Sequence, residues 1–78
     1  MLILYVKTKC PYCEKVLIKG KELGVAFDER NIADEQHAKD LVEKGGKRQV
    51  PYLVDEEKNI SMYESDDIVK YLEESYNH

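Results

Sequence analysis

Two cysteines, Cys10 and Cys13, stand three positions apart with Pro11 and Tyr12 between them, at the junction of an apolar run and a helical pattern. The run Leu2-Ile3-Leu4-Tyr5-Val6 is short and closed by Lys7-Thr8-Lys9, as a buried strand would be. Pro11 suits the first turn of a helix, where a missing N–H costs nothing, and Cys13, Val16, Leu17 and Leu23 recur near helical spacing until Gly24 supplies a stop. A strand that runs into a helix at its only two cysteines is thus the first constraint on architecture.

Further along, Val25-Ala26-Phe27 leads through Asp28-Glu29-Arg30 to Asn31-Ile32, a second strand. Asp34 caps a polar helix whose one apolar face is Ala38, Leu41 and Val42 and whose end is Gly45-Gly46. Pro51-Tyr52-Leu53-Val54 and Ile60-Ser61-Met62-Tyr63 are strands joined by the polar connection Asp55-Glu56-Glu57-Lys58-Asn59, of hairpin length. Ser65 caps the last helix, Asp66 and Asp67 complement its dipole, and Ile68, Val69, Leu72 and Tyr76 form its apolar stripe. The order βαβ-α-ββα implies an α/β fold of thioredoxin-like order, a four-stranded mixed sheet flanked by three helices, with its first two strands parallel. Tyr5, Phe27, Leu53, Ile68 and Leu72 are its expected core.

A chain of 78 residues has room for one hydrophobic core, so residues 1–78 are expected to form a single domain. The formal net charge of −4 and the lack of any basic run argue against a nucleic-acid partner. No stretch approaches the roughly 20 apolar residues of a membrane span, so a cytoplasmic protein is expected. A Cys10–Cys13 bridge would close too small a loop to act as a structural staple, and a lone Cys-x-x-Cys beside a βαβ pattern reads as a redox pair. Zinc or cluster binding and simple packing are the alternatives. Tetrahedral zinc needs four ligands, and His37 and His78 are the only histidines, so no metal is expected without a second chain or an added ligand.

With Pro11 as the first helical residue, Cys10 falls at the N-cap, where unpaired backbone N–H groups and the helix dipole favour a thiolate. Lys7 and Lys9 add positive charge nearby. Cys13, one turn further in, is the less exposed partner, placed to attack a mixed disulfide formed on Cys10.

The segment Lys7-Thr8-Lys9-Cys10-Pro11-Tyr12-Cys13 resembles the active-site segment of dithiol glutaredoxins. Val50-Pro51 resembles the Val-Pro of that family, whose proline is cis and lies beside the cysteines; Gln49 stands where a Thr is usual. Met62-Tyr63-Glu64-Ser65-Asp66-Asp67-Ile68 is similar to the segment that holds the γ-glutamyl end of glutathione in glutaredoxins and in the thioredoxin-like domain of glutathione transferases, and Glu64-Ser65 looks like the transferase version.

This resemblance implies a glutathione-dependent thiol–disulfide oxidoreductase, with glutathione as reductant, Cys10 as nucleophile and Cys13 as resolver. It also implies that Lys7 and Tyr12 flank the tripeptide, that the Val50 backbone pairs with its cysteinyl unit, and that Pro51 shapes the site. Ser65 and Asp66, with Glu64 beside them, would hold the γ-glutamyl carboxylate and ammonium, and Lys47 or Arg48 the glycyl carboxylate. The expected partners are glutathione and glutathionylated or disulfide-containing proteins, met by a monomer. Four rivals stay open: an electron donor fed by thioredoxin reductase, an iron–sulfur carrier through Cys10 and glutathione, a stand-alone transferase N-terminal-like domain, and a redox-inert adaptor.

Overall fold

In the computed structural model, which describes residues 2–76, the first apolar run is β1 (Leu2–Val6), buried along its whole length. It is an inner strand of a sheet of order β2-β1-β3-β4, where β2 is Phe27–Asn31, β3 Tyr52–Asp55 and β4 Ile60–Met62. β1 pairs parallel with β2, Leu2 opposite Phe27 and Val6 opposite Asn31, and antiparallel with β3, Leu4 opposite Leu53. β4 closes the edge antiparallel to β3.

Side chains of successive strand residues point to opposite faces, and β1 sorts them accordingly. Leu2, Leu4 and Val6 join Cys13, Val16, Leu53, Ile68 and Leu72 in one core, beneath the helices α1 (Pro11–Glu22) and α3 (Ser65–Tyr76). Ile3 and Tyr5 join Ile32, Ala38, Leu41 and Tyr52 in the other, beneath α2 (Glu35–Gly45). The expected α/β sandwich with its four-stranded mixed sheet and three helices is therefore the one observed, and both thiols lie on the side of the first core. On the second side, the fully buried Tyr5 hydroxyl has no hydrogen-bond partner among the described residues.

The helix ends follow the expected chemistry. Asp34 accepts from the Gln36 N–H at 2.9 Å, and Gly46, at φ 86°, adopts the left-handed conformation that closes α2 by donating to Val42 O at 2.7 Å. Ser65, however, is the first residue of α3 rather than its cap, and the Ile68 N–H reaches back to the Glu64 carbonyl at 2.8 Å. Val42 is exposed, because the face that meets the sheet is centred on Ala38 and Leu41.

Asp55 is the main departure from the expected hairpin connection. It extends β3 and is completely buried, accepting from the Tyr71 and Tyr76 hydroxyls at 2.6 Å each and from the Lys58 N–H at 3.4 Å. A carboxylate is tolerated there because its oxygens are supplied with donors. Burial alone would raise its pKa, but the hydrogen bonds from Tyr71, Tyr76 and the Lys58 and Glu57 backbone outweigh that and hold the group below its usual value. Tyr76 is accordingly an anchor by its hydroxyl as well as part of the apolar stripe of α3.

Candidate functional site

β1 ends at Val6, and the turn Lys7-Thr8-Lys9 reverses the chain into α1, with Lys9 at φ 61°. The Asn31 side-chain amide donates to the Thr8 hydroxyl at 3.0 Å and ties this turn to the end of β2. Cys10 follows as the N-cap of α1 with extended backbone (φ −97°, ψ 110°), and Pro11 occupies the first turn. Its sulfur is where a capping oxygen would stand: Cys10 Sγ accepts from the Cys13 N–H at 3.3 Å.

The two thiols differ in environment. Cys10 is half-buried, whereas Cys13 is 1% exposed inside the first core. Burial pushes the Cys13 thiol from 9.0 up to about 12; its hydrogen bond with Cys10 and the charge of that neighbour add to the rise, while the Lys7 backbone amide works against it. Cys13 is thus a protonated thiol over a wide pH range, held one turn from an accessible sulfur.

The Val50-Pro51 peptide bond is cis, Pro51 is buried, and Val50 packs against both cores. Beside it a cleft of about 440 Å³ is lined by Lys7, Thr8, Asn31, Ile32, Arg48 and Val50 among others. Three of the residues singled out from sequence, Lys7, Arg48 and Val50, therefore come together around one space. Tyr12, Glu64, Ser65 and Asp66 do not line it. Tyr12 is 65% exposed, Glu64 and Asp66 are exposed, and Ser65 is half-buried in the first turn of α3.

Asp66 has a partner that sequence reading missed: Lys15 of α1 forms an ion pair with it. Tyr63 was also missed as a contact residue, although it lies inside the quoted motif. Its hydroxyl accepts from the Lys47 N–H at 3.0 Å and donates to the Lys47 carbonyl at 2.9 Å. Gly45 lies against it, where a Cβ would collide with that hydroxyl. Among the described residues no three His, Cys, Asp or Glu side chains are grouped so as to hold a metal ion, and His78 lies outside those residues. No helix among them is long and apolar enough to cross a membrane.

A family-wide sequence model described as glutathione S-transferase, N-terminal domain, matches residues 4–78. Among solved structures, a glutathione S-transferase from the Antarctic clam Laternula elliptica is 29% identical with a TM-score of 0.81, over 96% of this chain and 35% of that one. Glutathione S-transferase 1-6 from Anopheles dirus species B is 28% identical with a TM-score of 0.80, over 95% of this chain and 35% of that one. The trimeric glutathione transferase TDR1 of Leishmania is 30% identical with a TM-score of 0.78, over 96% of this chain and 17% of that one. The chain thus spans about a third or less of the length of these structures. Among curated proteins no sequence matches it.

Proposed function

The chain belongs to the glutathione S-transferase N-terminal domain family, and from that membership and its cysteine pair we propose that it is a glutathione-dependent thiol–disulfide oxidoreductase of the glutaredoxin kind. The observation that carries this reading is the asymmetry of the pair, an accessible sulfur at a helix N-cap above a buried, protonated thiol. Residues 1–78 act as one domain, in the cytoplasm and as a monomer, on glutathionylated or disulfide-containing proteins.

Cys10 Sγ, as thiolate, attacks the glutathione sulfur of a mixed disulfide; the old S–S bond breaks and the target leaves as a thiolate. A second glutathione thiolate then attacks the glutathionyl sulfur on Cys10, releasing oxidised glutathione and restoring the Cys10 thiolate. The helix N-terminus and the Cys13 amide offer compensation for the negative sulfur in both resting and leaving states.

With a protein disulfide, Cys13 completes the reaction. Burial is the main cause of its raised pKa; the hydrogen bond with Cys10 adds to it, the Lys7 backbone opposes it, and the charge of Cys10 adds least. Once Cys10 is tied up in a mixed disulfide, Cys13 attacks its sulfur from one helical turn away and gives up its proton in doing so. The attack forms a Cys10–Cys13 disulfide, expels the second substrate thiolate, and leaves the pair to be reduced by two glutathiones.

Glutathione itself is assigned to the ground between the cleft and the start of α3. Lys7, Arg48, the Val50 backbone and Pro51 face its cysteinyl and glycyl parts, Tyr12 flanks it, and Glu64, Ser65 and Asp66 receive the γ-glutamyl end. A Ser65 hydroxyl and free N–H groups in the first turn suit a carboxylate, and the Asp66 carboxylate suits an ammonium.

Glutathione-dependent reduction of a glutathione mixed disulfide tests the reading. Cys10→Ser should abolish turnover, whereas Cys13→Ser should retain deglutathionylation and lose only protein-disulfide reduction. Equal loss in both variants would overturn the assignment. A second reading, a conjugating transferase of which these residues are one part, is favoured by the family match and the short span relative to its members. Conjugation of glutathione to an aryl halide by the chain, without disulfide reduction, would establish that alternative.

A further inference from the structure

Between the end of α2 and the cis peptide bond, residues 46–50 run without regular secondary structure, yet they carry Arg48 and Val50 into the cleft. A stretch of that kind orders its side chains only if something outside it fixes its backbone. Tyr63 does so. Its hydroxyl takes both polar groups of one residue, the Lys47 N–H at 3.0 Å and the Lys47 carbonyl at 2.9 Å. Its ring packs at a tilt of 37° against Tyr52, centroids 4.4 Å apart, and the Lys47 ammonium lies 5.5 Å from its centroid.

The chain is shaped to admit this contact. A Cβ on Gly45 would overlap the Tyr63 hydroxyl and ring, so glycine leaves the space that the phenol fills. Tyr52 is 3% exposed and packs in turn on Tyr5, ring centroids 6.0 Å apart, which roots the tyrosine in the second core. At the other end Tyr63 is bonded directly to Glu64 and Ser65, the residues that open α3. One side chain therefore joins the two segments assigned to opposite ends of the tripeptide.

We infer that Tyr63 is a positioning residue for glutathione, setting the 46–50 stretch, and with it Arg48 and Val50, in register with Glu64-Ser65. This rests on the glutathione reading above. The hydroxyl does not need to touch the ligand. It removes in advance the cost of ordering the loop, an effect that appears in binding rather than in the sulfur chemistry, whose geometry is set by α1.

The test is Tyr63→Phe, which keeps the ring and deletes both hydrogen bonds. With a glutathione mixed disulfide as second substrate, KM for glutathione should rise about three- to tenfold while kcat stays within about twofold, and the Lys47 amide should exchange with solvent at least about tenfold faster. Gly45→Ala, which displaces the same hydroxyl from the other side, should raise KM in the same direction. An unchanged KM with faster Lys47 exchange would overturn the inference, leaving Tyr63 a purely structural contact. Unchanged exchange would overturn it as well. Lack of glutathione-dependent turnover in the wild-type chain would instead defeat the functional reading on which the inference stands.

Discussion

Lys15 and Asp66 join the first half of α1 to the first turn of α3 as an ion pair across 51 positions of sequence. Asp66 is the carboxylate assigned to the γ-glutamyl ammonium, so a resident cation already occupies the place of the incoming one. Their side chains are 52% and 81% exposed, which screens the pair and makes it easy to open. Lys15→Met should therefore tighten glutathione binding up to about threefold in low salt, with the gain fading as salt is raised. Calorimetric titration of wild type and variant at two salt concentrations would measure it. Weaker binding by the variant would show that Lys15 serves the ligand carboxylate instead.

The contrast between the thiols predicts single labelling. Near neutral pH one equivalent of iodoacetamide should be incorporated, all at Cys10, and Cys10→Ser should take up almost none, whereas the denatured chain should take two. Comparable labelling of both residues in the native protein would contradict the burial of Cys13. The same thiol should also destabilise the fold in alkali. Its folded pKa of about 12 lies above the ordinary 9.0, so the unfolded chain gives up this proton first. Its contribution is whole below pH 9 and is lost as pH climbs toward 12. The melting temperature of wild type minus that of Cys13→Ser should shrink over this window.

Gly20 faces Phe27 so closely that a Cβ would overlap the edge of the ring. Alanine would return about 1 kcal/mol of helix propensity, but displacing a ring packed against the first core costs roughly 1–3 kcal/mol. Gly20→Ala should therefore be neutral to about 2 kcal/mol less stable by urea unfolding. Its glutathione kinetics should be unchanged, since the glycine lies more than two turns from Cys10.

What was legible in the sequence is what short-range chemistry determines. The apolar run of β1, the proline opening α1, the Asp34 cap and the Gly46 stop each act within a few residues, and the structure has them where the pattern put them. Asp55 was read as part of a polar turn because Glu56, Glu57, Lys58 and Asn59 follow it. Its burial is decided by Tyr71 and Tyr76, which lie 16 and 21 positions later. Lys15–Asp66 and Tyr63–Lys47 are invisible for the same reason, being contacts between elements whose facing residues no local period reveals. Sequence did separate Lys7, Arg48 and Val50 from the background, but that they share a cleft follows only from the sheet order.

Asp55 should set the response of the fold to acid. It lies opposite Leu2, at the end of β1 remote from Cys10, so its loss should act on stability and leave KM for glutathione alone. Its folded pKa is lowered below 3.8, which means that the unfolded chain takes up the proton first as pH falls. The stabilisation is complete above pH 4 and is lost as pH drops through the lowered value. Tyr76→Phe, which removes one hydroxyl donor to the buried carboxylate, should cost about 1.5–3 kcal/mol at pH 7 by urea unfolding. Tyr71→Phe should cost a similar amount, and each difference from wild type should narrow below pH 4. A Tyr76→Phe penalty that is the same at pH 3 and pH 7 would mean that the hydroxyl contributes as packing alone, and that the ionised form of Asp55 has no part in holding α3 to the sheet.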